Sequence, residues 1–242
     1  AASAATLYYY CTALSGMGGQ ANTNSDFGSS YFDGDIKGTV SANPTAGFSI
    51  VNYVPNGTAS ATIPHGLGVA PDMVFYKRYN GTSSWFCWTT AIDGSDDYMV
   101  LSGTDAATAV TSAQSGGTSF TSSFIRATNY GASGSPEVVA YCFAEVEGFS
   151  KFGAYEANNS TNGPFINTGF TPAWILFKYV DGTGEWWWML DSTRDTANLT
   201  TEVLYANANS AEGAIGGGGG VDFLSNGFKI RATNGGINTA NT

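Results

Sequence analysis

The one histidine of the chain, His65, lies in Ile63-Pro64-His65-Gly66-Leu67-Gly68. As a general base it would need a nucleophile and an orienting carboxylate brought close by the fold. Acidic side chains gather at Asp93, Asp96 and Asp97, and again at Asp33 and Asp35. Oxygen-rich loops of this kind can bind calcium, but the EF-hand spacing, with its central Gly and distant Glu, is absent, so solvated turn carboxylates are expected. Glycoside hydrolysis needs two carboxyl groups roughly 5 to 10 Å apart across a cleft, and the apolar runs offer no pair for it. Gly216 to Gly220 is glycine-rich but lacks the Lys-Ser/Thr ending of a phosphate loop. Cys11, Cys87 and Cys142 are odd in number and have no C-x-x-C spacing, which points to buried free thiols rather than a zinc or redox site. These residues assign no catalytic, metal or cofactor-binding position, and the chain is expected to need no cofactor and to be no enzyme.

Aromatic side chains carry more. Trp186-Trp187-Trp188 aligns with Trp85-Phe86-Cys87, with Trp88 one residue on. Side chains alternate along a strand, so Trp186 and Trp188 share one face and Trp187 takes the other. One face belongs to the core. The other is packed by a partner subunit or second layer, or is exposed as a stacking platform for sugar rings, so Trp85, Trp88, Trp186, Trp187 and Trp188 are the candidate ligand or subunit contacts.

What must position these residues is read from composition. Of 242 residues, 12% are charged and 14% aromatic, with 32 Gly and a polar complement rich in Ser, Thr and Asn. A helical surface would carry more Glu, Lys, Arg and Gln, so strands and turns are favoured. The formal net charge of −10 leaves no basic stripe to neutralise phosphates, and nucleic acid is not an expected partner. No apolar run approaches the roughly 20 residues that span a bilayer, so membrane insertion is not expected.

Short runs rich in β-branched and aromatic residues (48–53, 73–76, 85–88, 98–101, 120–125 and 138–146) are read as strands. Asn56-Gly57, Asn80-Gly81, Asp93-Gly94, Asp181-Gly182 and Asn226-Gly227 between and after them suit tight hairpin turns. The expected fold is all-β, an antiparallel, sandwich-like architecture.

The sequence also matches itself. Pro71 recurs as Pro172 and Lys77 as Lys178, an offset of 101 that also carries Phe48-Ser49 onto Phe149-Ser150 and the Gly81–Trp85 segment onto Gly182–Trp186. Ile125-Arg126-Ala127-Thr128-Asn129 returns as Ile230 to Asn234 at an offset of 105. At these offsets His65 falls near Ile166-Asn167-Thr168, without a histidine, which favours a turn role for it. A tandem repeat follows: an N-terminal segment 1–46, a first β repeat 47–148 and a second 149–242. The N-terminal Tyr8-Tyr9-Tyr10-Cys11-Thr12-Ala13 is similar to Val139-Ala140-Tyr141-Cys142-Phe143-Ala144, the closing strand of the first repeat, and the second repeat has no such strand. The edge left open could be covered by residues of a longer parent chain, by the chain's own strand near Leu7 to Ala13, or by a neighbouring subunit.

The stretch from Val139 through Gly153, Asn162-Gly163-Pro164-Phe165 and Thr168 to Trp174, together with Ala46 to Val51 and Ile63 to Gly68, resembles a repeated domain of large virion structural proteins and tail fibres of tailed phages, notably marine and environmental ones. The resemblance covers about residues 33 to 242. It implies a location in the virion and host-surface adhesion, self-association (trimers among the arrangements) and contact with other virion proteins and a host-surface glycan, and it carries over no catalytic residue. A capsid decoration, baseplate or filament-forming subunit with no receptor role is the alternative, and a polysaccharide depolymerase a further one.

Overall fold

Strand β5 (Phe48–Tyr53) shows how the sequence builds the first layer: Ser49, Val51 and Tyr53 turn inward and are buried, while Phe48, Ile50 and Asn52 turn out. This is the period-2 alternation of a strand with one buried face. β7 (Met73–Arg78) buries Val74 and Tyr76, and β12 (Val138–Phe143) buries Val138, Ala140 and Cys142 in the same way. The computed structural model describes residues 7–10, 18–21 and 29–31 as backbone strands, and 34–58, 60–110, 120–128, 135–216 and 219–240 in full.

Contacts divide the chain into two units, the first of residues 1–83 and 110–144, the second of 84–109 and 145–242. The hairpin segment 84–109, which the sequence reading placed in the first repeat, groups with the second unit.

In the first unit the strands β3 (Ser29–Tyr31), β4 (Gly38–Asn43), β5, β12 and β7 lie side by side in that order, all antiparallel. A 3-10 turn, Pro44–Ala46, links β4 to β5 and ends on Gly47 at φ 62°, a left-handed conformation glycine adopts at no steric cost. Over this sheet lies the pair β6 (Thr62–Pro64) and β11 (Phe124–Arg126). Fully buried Val40, Val51, Val74, Val138, Ile63 and Ile125 fill the space between the layers. Two tyrosines pin the layers together: the Tyr53 hydroxyl is 3.0 Å from Thr128 Oγ1, and the Tyr76 hydroxyl donates to the Arg126 carbonyl at 3.0 Å. A further pair, β1 (Leu7–Tyr10) with β2 (Gly18–Ala21), forms its own two-stranded sheet.

The second unit contains β8 (Phe86–Thr89), β9 (Asp97–Val100) and β10 (Thr108–Ala109), paired in sequence. It also holds a four-stranded sheet, β14 (Trp174–Lys178), β15 (Trp187–Asp191), β16 (Glu202–Tyr205) and β17 (Gly213–Ala214). A three-stranded sheet places β19 (Gly227–Ile230) between β13 (Phe165–Asn167) and β18 (Val221–Leu224). Phe177, Trp188, Leu190, Val203, Phe228 and Ile230 form the core, closed by a single-turn helix α1 (Gly235–Asn238) that contributes Ile237. Among the described residues no helix is long and apolar enough to cross a membrane.

The fold is all-β and sandwich-like, as the sequence predicts. The offsets reappear in the strands: β7 begins at Met73 and β14 at Trp174, β8 at Phe86 and β15 at Trp187, both 101 apart. β9 and β16 begin at Asp97 and Glu202, and β10 and β17 at Thr108 and Gly213, both 105 apart. Ile125 pairs with Ile63, and at the corresponding positions Ile230 N–H donates to the Pro164 carbonyl. The correspondence stops at Phe149-Ser150, which repeats Phe48-Ser49 in sequence but forms no β5-like strand, and whose Phe149 is exposed.

Candidate functional site

Thr39 on β4 stands opposite Asn52 on β5, and both are exposed polar positions flanked by the buried Val40, Val51 and Tyr53. Register thus places a hydroxyl and an amide side by side on the outer face. Tyr79 follows β7 and Glu137 precedes β12; the Tyr79 N–H donates to the Glu137 carbonyl at 3.0 Å, which fixes the two together. The Tyr79 ring reaches across to β5, where its hydroxyl donates to Asn52 Oδ1 at 3.2 Å, and half of the residue stays exposed. Asn80 supports this arrangement: its Oδ1 accepts from the Glu137 N–H and from Arg78 Nε, each at 3.0 Å, while its Nδ2 donates to the Ser135 carbonyl at 2.9 Å.

On the far side Asp35 is clasped by β6. Its Oδ2 accepts from the Thr62 N–H and the Thr62 hydroxyl, both at 2.9 Å, and its own N–H donates to Thr62 Oγ1 at 3.0 Å. Gly34, at φ 135°, makes the approach: a Cβ there would lie 2.8 Å from the Thr62 carbonyl oxygen. Between these walls runs an open groove of about 600 Å³, whose lining includes Asp35, Lys37, Thr39, Asn52, Tyr79 and Glu137.

The hydrogen bonds from Thr62 hold the Asp35 carboxyl below the ordinary range, and it stays ionised. The Glu137 carboxylate, then burial, keeps the Tyr79 phenol protonated to higher pH than usual, so it remains a donor. The groove therefore presents an aromatic face, a fixed phenol, an amide, a hydroxyl and charges of both signs. Such a set can stack on a ring and exchange hydrogen bonds with several hydroxyls. The sequence reading missed it. Its signal was the polar alternation in Gly38-Thr39-Val40-Ser41 and Val51-Asn52-Tyr53, but 39, 52, 79 and 137 are joined only by strand register.

The tryptophans are placed otherwise than a contact surface requires. Trp88, Trp187 and Trp188 are buried within the second unit, at 6%, 2% and 4% exposure, so these three are core and not ligand or subunit contacts. The predicted alternation holds. Trp186 and Trp188 both meet Tyr205, with ring centroids 4.3 and 5.1 Å away. Trp187 points to the other face, where its indole Nε1 donates to the Val100 carbonyl at 3.2 Å. Both faces of β15 are covered, one by the core and one by the β9 region, which a sequence cannot show. Trp186 is 40% exposed and Trp85 half-buried, so these two retain surface. Beside Trp186, Lys178 Nζ donates to the carbonyls of Tyr179, Glu185 and Thr104 at 3.0, 3.1 and 3.4 Å, and burial lowers its pKa.

His65 is fully buried. The Leu67 N–H donates to its Nδ1 at 3.2 Å, which leaves the ring proton on Nε2, donating to the Thr121 carbonyl at 3.0 Å. Ser49 Oγ donates to the His65 carbonyl at 2.5 Å. Both ring nitrogens are thus spent on backbone, and the residue orders a turn. Asp93 Oδ1 accepts from the Ser95 N–H and hydroxyl at 2.8 and 2.6 Å, a turn role as expected. Cys87 and Cys142 are buried free thiols whose pKa burial pushes up. Cys11 and Asp33 lie outside the described residues. Among the described residues no three His, Cys, Asp or Glu side chains gather as a metal site would require.

Comparison with known proteins gives one result. Residues 21–242 match the model of a family described as Domain of unknown function (DUF7483), and the chain belongs to that family. No curated protein and no solved structure matches it.

Proposed function

We propose that this member of the family is a structural module of a phage virion, working in a tail fibre or comparable surface appendage, and that the Tyr79 groove contacts saccharide on the host surface. The observation that carries the reading is the Tyr79 side chain itself: half-exposed, yet held by its hydroxyl on Asn52 and by its backbone on Glu137. An aromatic ring fixed in advance loses little side-chain entropy on binding. Around it Thr39, Asn52, Glu137 and Asp35 offer donors and acceptors of the kind sugar hydroxyls pair with. The virion location rests on the resemblance of the Val139–Gly153, Asn162–Phe165 and Thr168–Trp174 segments to the repeated domain of virion structural and tail-fibre proteins, and the family match names no function.

Competition for the host surface tests this. The soluble chain, added before phage particles carrying it, is expected to reduce their adsorption to host cells, and Tyr79→Ala is expected to abolish the effect while leaving the far-ultraviolet circular dichroism unchanged. Equal competition by the wild type and the variant would remove the groove from the account. Failure of both to compete, with the chain absent from purified particles by mass spectrometry, would remove the adhesive role. Host polysaccharide recovered at unchanged length after incubation is the expected outcome of a binding module; shortened polymer would favour a depolymerase.

A further inference from the structure

In the first unit β7 is paired along its whole length with β12, from Met73 opposite Phe143 to Arg78 opposite Val138. β14 stands where β7 stands, 101 residues on, but it is paired with β15 alone, and its other edge carries no strand among the described residues. A bare edge is a row of backbone donors and acceptors ready to pair with an extended segment.

Side chains mark what is missing. Met73 and Phe48 both stand opposite Phe143 of β12, and the rings of Phe48 and Phe143 lie 5.0 Å apart. Both residues are partly buried there. Their counterparts at the 101 offset are Trp174 and Phe149, which are 56% and 69% exposed. Trp174, at the start of β14, is thus uncovered at the position where β12 stands against Met73 in the first unit, while Phe149 lies in a turn and marks no strand position.

β1 is, in sequence, a strand of the β12 type. Tyr10-Cys11 and Ala13 correspond to Tyr141-Cys142 and Ala144, and Leu7 to Val138. The backbone of β1 is paired on one edge with β2, Leu7 opposite Ala21 to Tyr10 opposite Gly18, and among the described residues this two-stranded sheet takes up no other strand. β12 is paired on both edges, with β5 on one and β7 on the other. β1 with β2 is therefore in the half-paired condition β12 would have without β7.

We infer that the free edge of β14 is a strand-acceptor site and that its occupant is β1 of a second copy of this chain, added antiparallel in the register that β12 takes on β7. One donor and one acceptor per copy, located on different parts of the chain, make a heterologous contact, which propagates as a head-to-tail series unless the rotation closes a ring.

The experiment uses the full chain and a synthetic peptide of residues 5–16. Sedimentation velocity over a hundredfold range of concentration is expected to show the weight-average mass rising from that of the 25.2 kDa monomer into a ladder of multiples. Excess peptide returns the ladder to monomer, and a peptide of the same composition in scrambled order does not. The variant Tyr9→Pro, which removes a backbone donor from β1 and blocks its pairing, stays monomeric and binds the authentic peptide one to one. Two results overturn the inference: a wild-type chain that is monomeric throughout, or a ladder that the peptide leaves intact and Tyr9→Pro still forms.

Discussion

The indole Nε1 of Trp187 donates to the carbonyl oxygen of Val100, 87 residues earlier in the chain, at 3.2 Å. Two more bonds run beside it: Asn207 Nδ2 to the Gly103 carbonyl at 2.8 Å and Ala107 N–H to the Val180 carbonyl at 2.8 Å. Together they make the 84–109 segment part of the second unit rather than of the first, with which it is contiguous in sequence.

Trp187 and Trp188 offer an internal comparison. The indole N–H of Trp187 has the Val100 carbonyl as acceptor, whereas that of Trp188 is buried without one among the described residues. Phe substitution removes similar volume at each site, so the difference isolates the hydrogen bond. Trp187→Phe is expected to cost about 0.5–1.5 kcal/mol more than Trp188→Phe, the net worth of one hydrogen bond, since the Val100 carbonyl still accepts from the Gly103 N–H. Urea unfolding of the two variants measures it, and equal midpoints would show that the bond contributes nothing.

Gly236 and Gly153 predict opposite responses to the same change. A Cβ at Gly236 would fall 2.2 Å from Trp188 Nε1, inside the core, whereas one at Gly153 would meet nothing within 4 Å. Gly236→Ala is expected to destabilise by about 1–3 kcal/mol through overpacking, and Gly153→Ala by no more than about 0.5 kcal/mol. Thermal melts of both variants check the contrast.

Burial lowers the pKa of His65 below its ordinary 6.5 in the folded chain, while the unfolded chain keeps the ordinary value. Between those two values the unfolded state binds more protons, so stability is present above about pH 6.5 and falls as the pH drops below it. The denaturation midpoint is expected to decline from pH 7.5 to pH 5.5 in the wild type and to stay level over that interval in His65→Gln. Carboxylates held low by hydrogen bonds, Asp35 and Asp195 among them, lose their contribution only as the pH falls below their ordinary 3.8. A wild-type curve that is flat from pH 7.5 to 5.5 would show the buried imidazole to be no such switch.

How much of this was legible in the sequence depends on range. β5, β7 and β12 are readable because each is a short run rich in β-branched and aromatic residues. The relative directions of Trp186, Trp187 and Trp188 followed from the period-2 alternation of a strand. Their burial did not, because Trp187 is covered by a hairpin that lies in another repeat, and no local pattern encodes that placement. The groove was hidden for the same reason: Thr39, Asn52, Tyr79 and Glu137 meet only through strand register. At Phe149-Ser150 the opposite holds, since the Phe48-Ser49 pair of β5 recurs in sequence but stands in a turn and not in a strand.

The central claim is that the Tyr79 groove binds saccharide, and calorimetric titration of the purified chain with oligosaccharides released from the host surface tests it most directly. The account predicts saturable binding that weakens at least about tenfold in Tyr79→Ala, as loss of a stacking ring worth about 1.4 kcal/mol would give, and less in Tyr79→Phe, which keeps the ring and loses the hydroxyl that meets Asn52 and Glu137. Binding of equal strength in wild type and Tyr79→Ala, or no heat from any surface oligosaccharide, would contradict it.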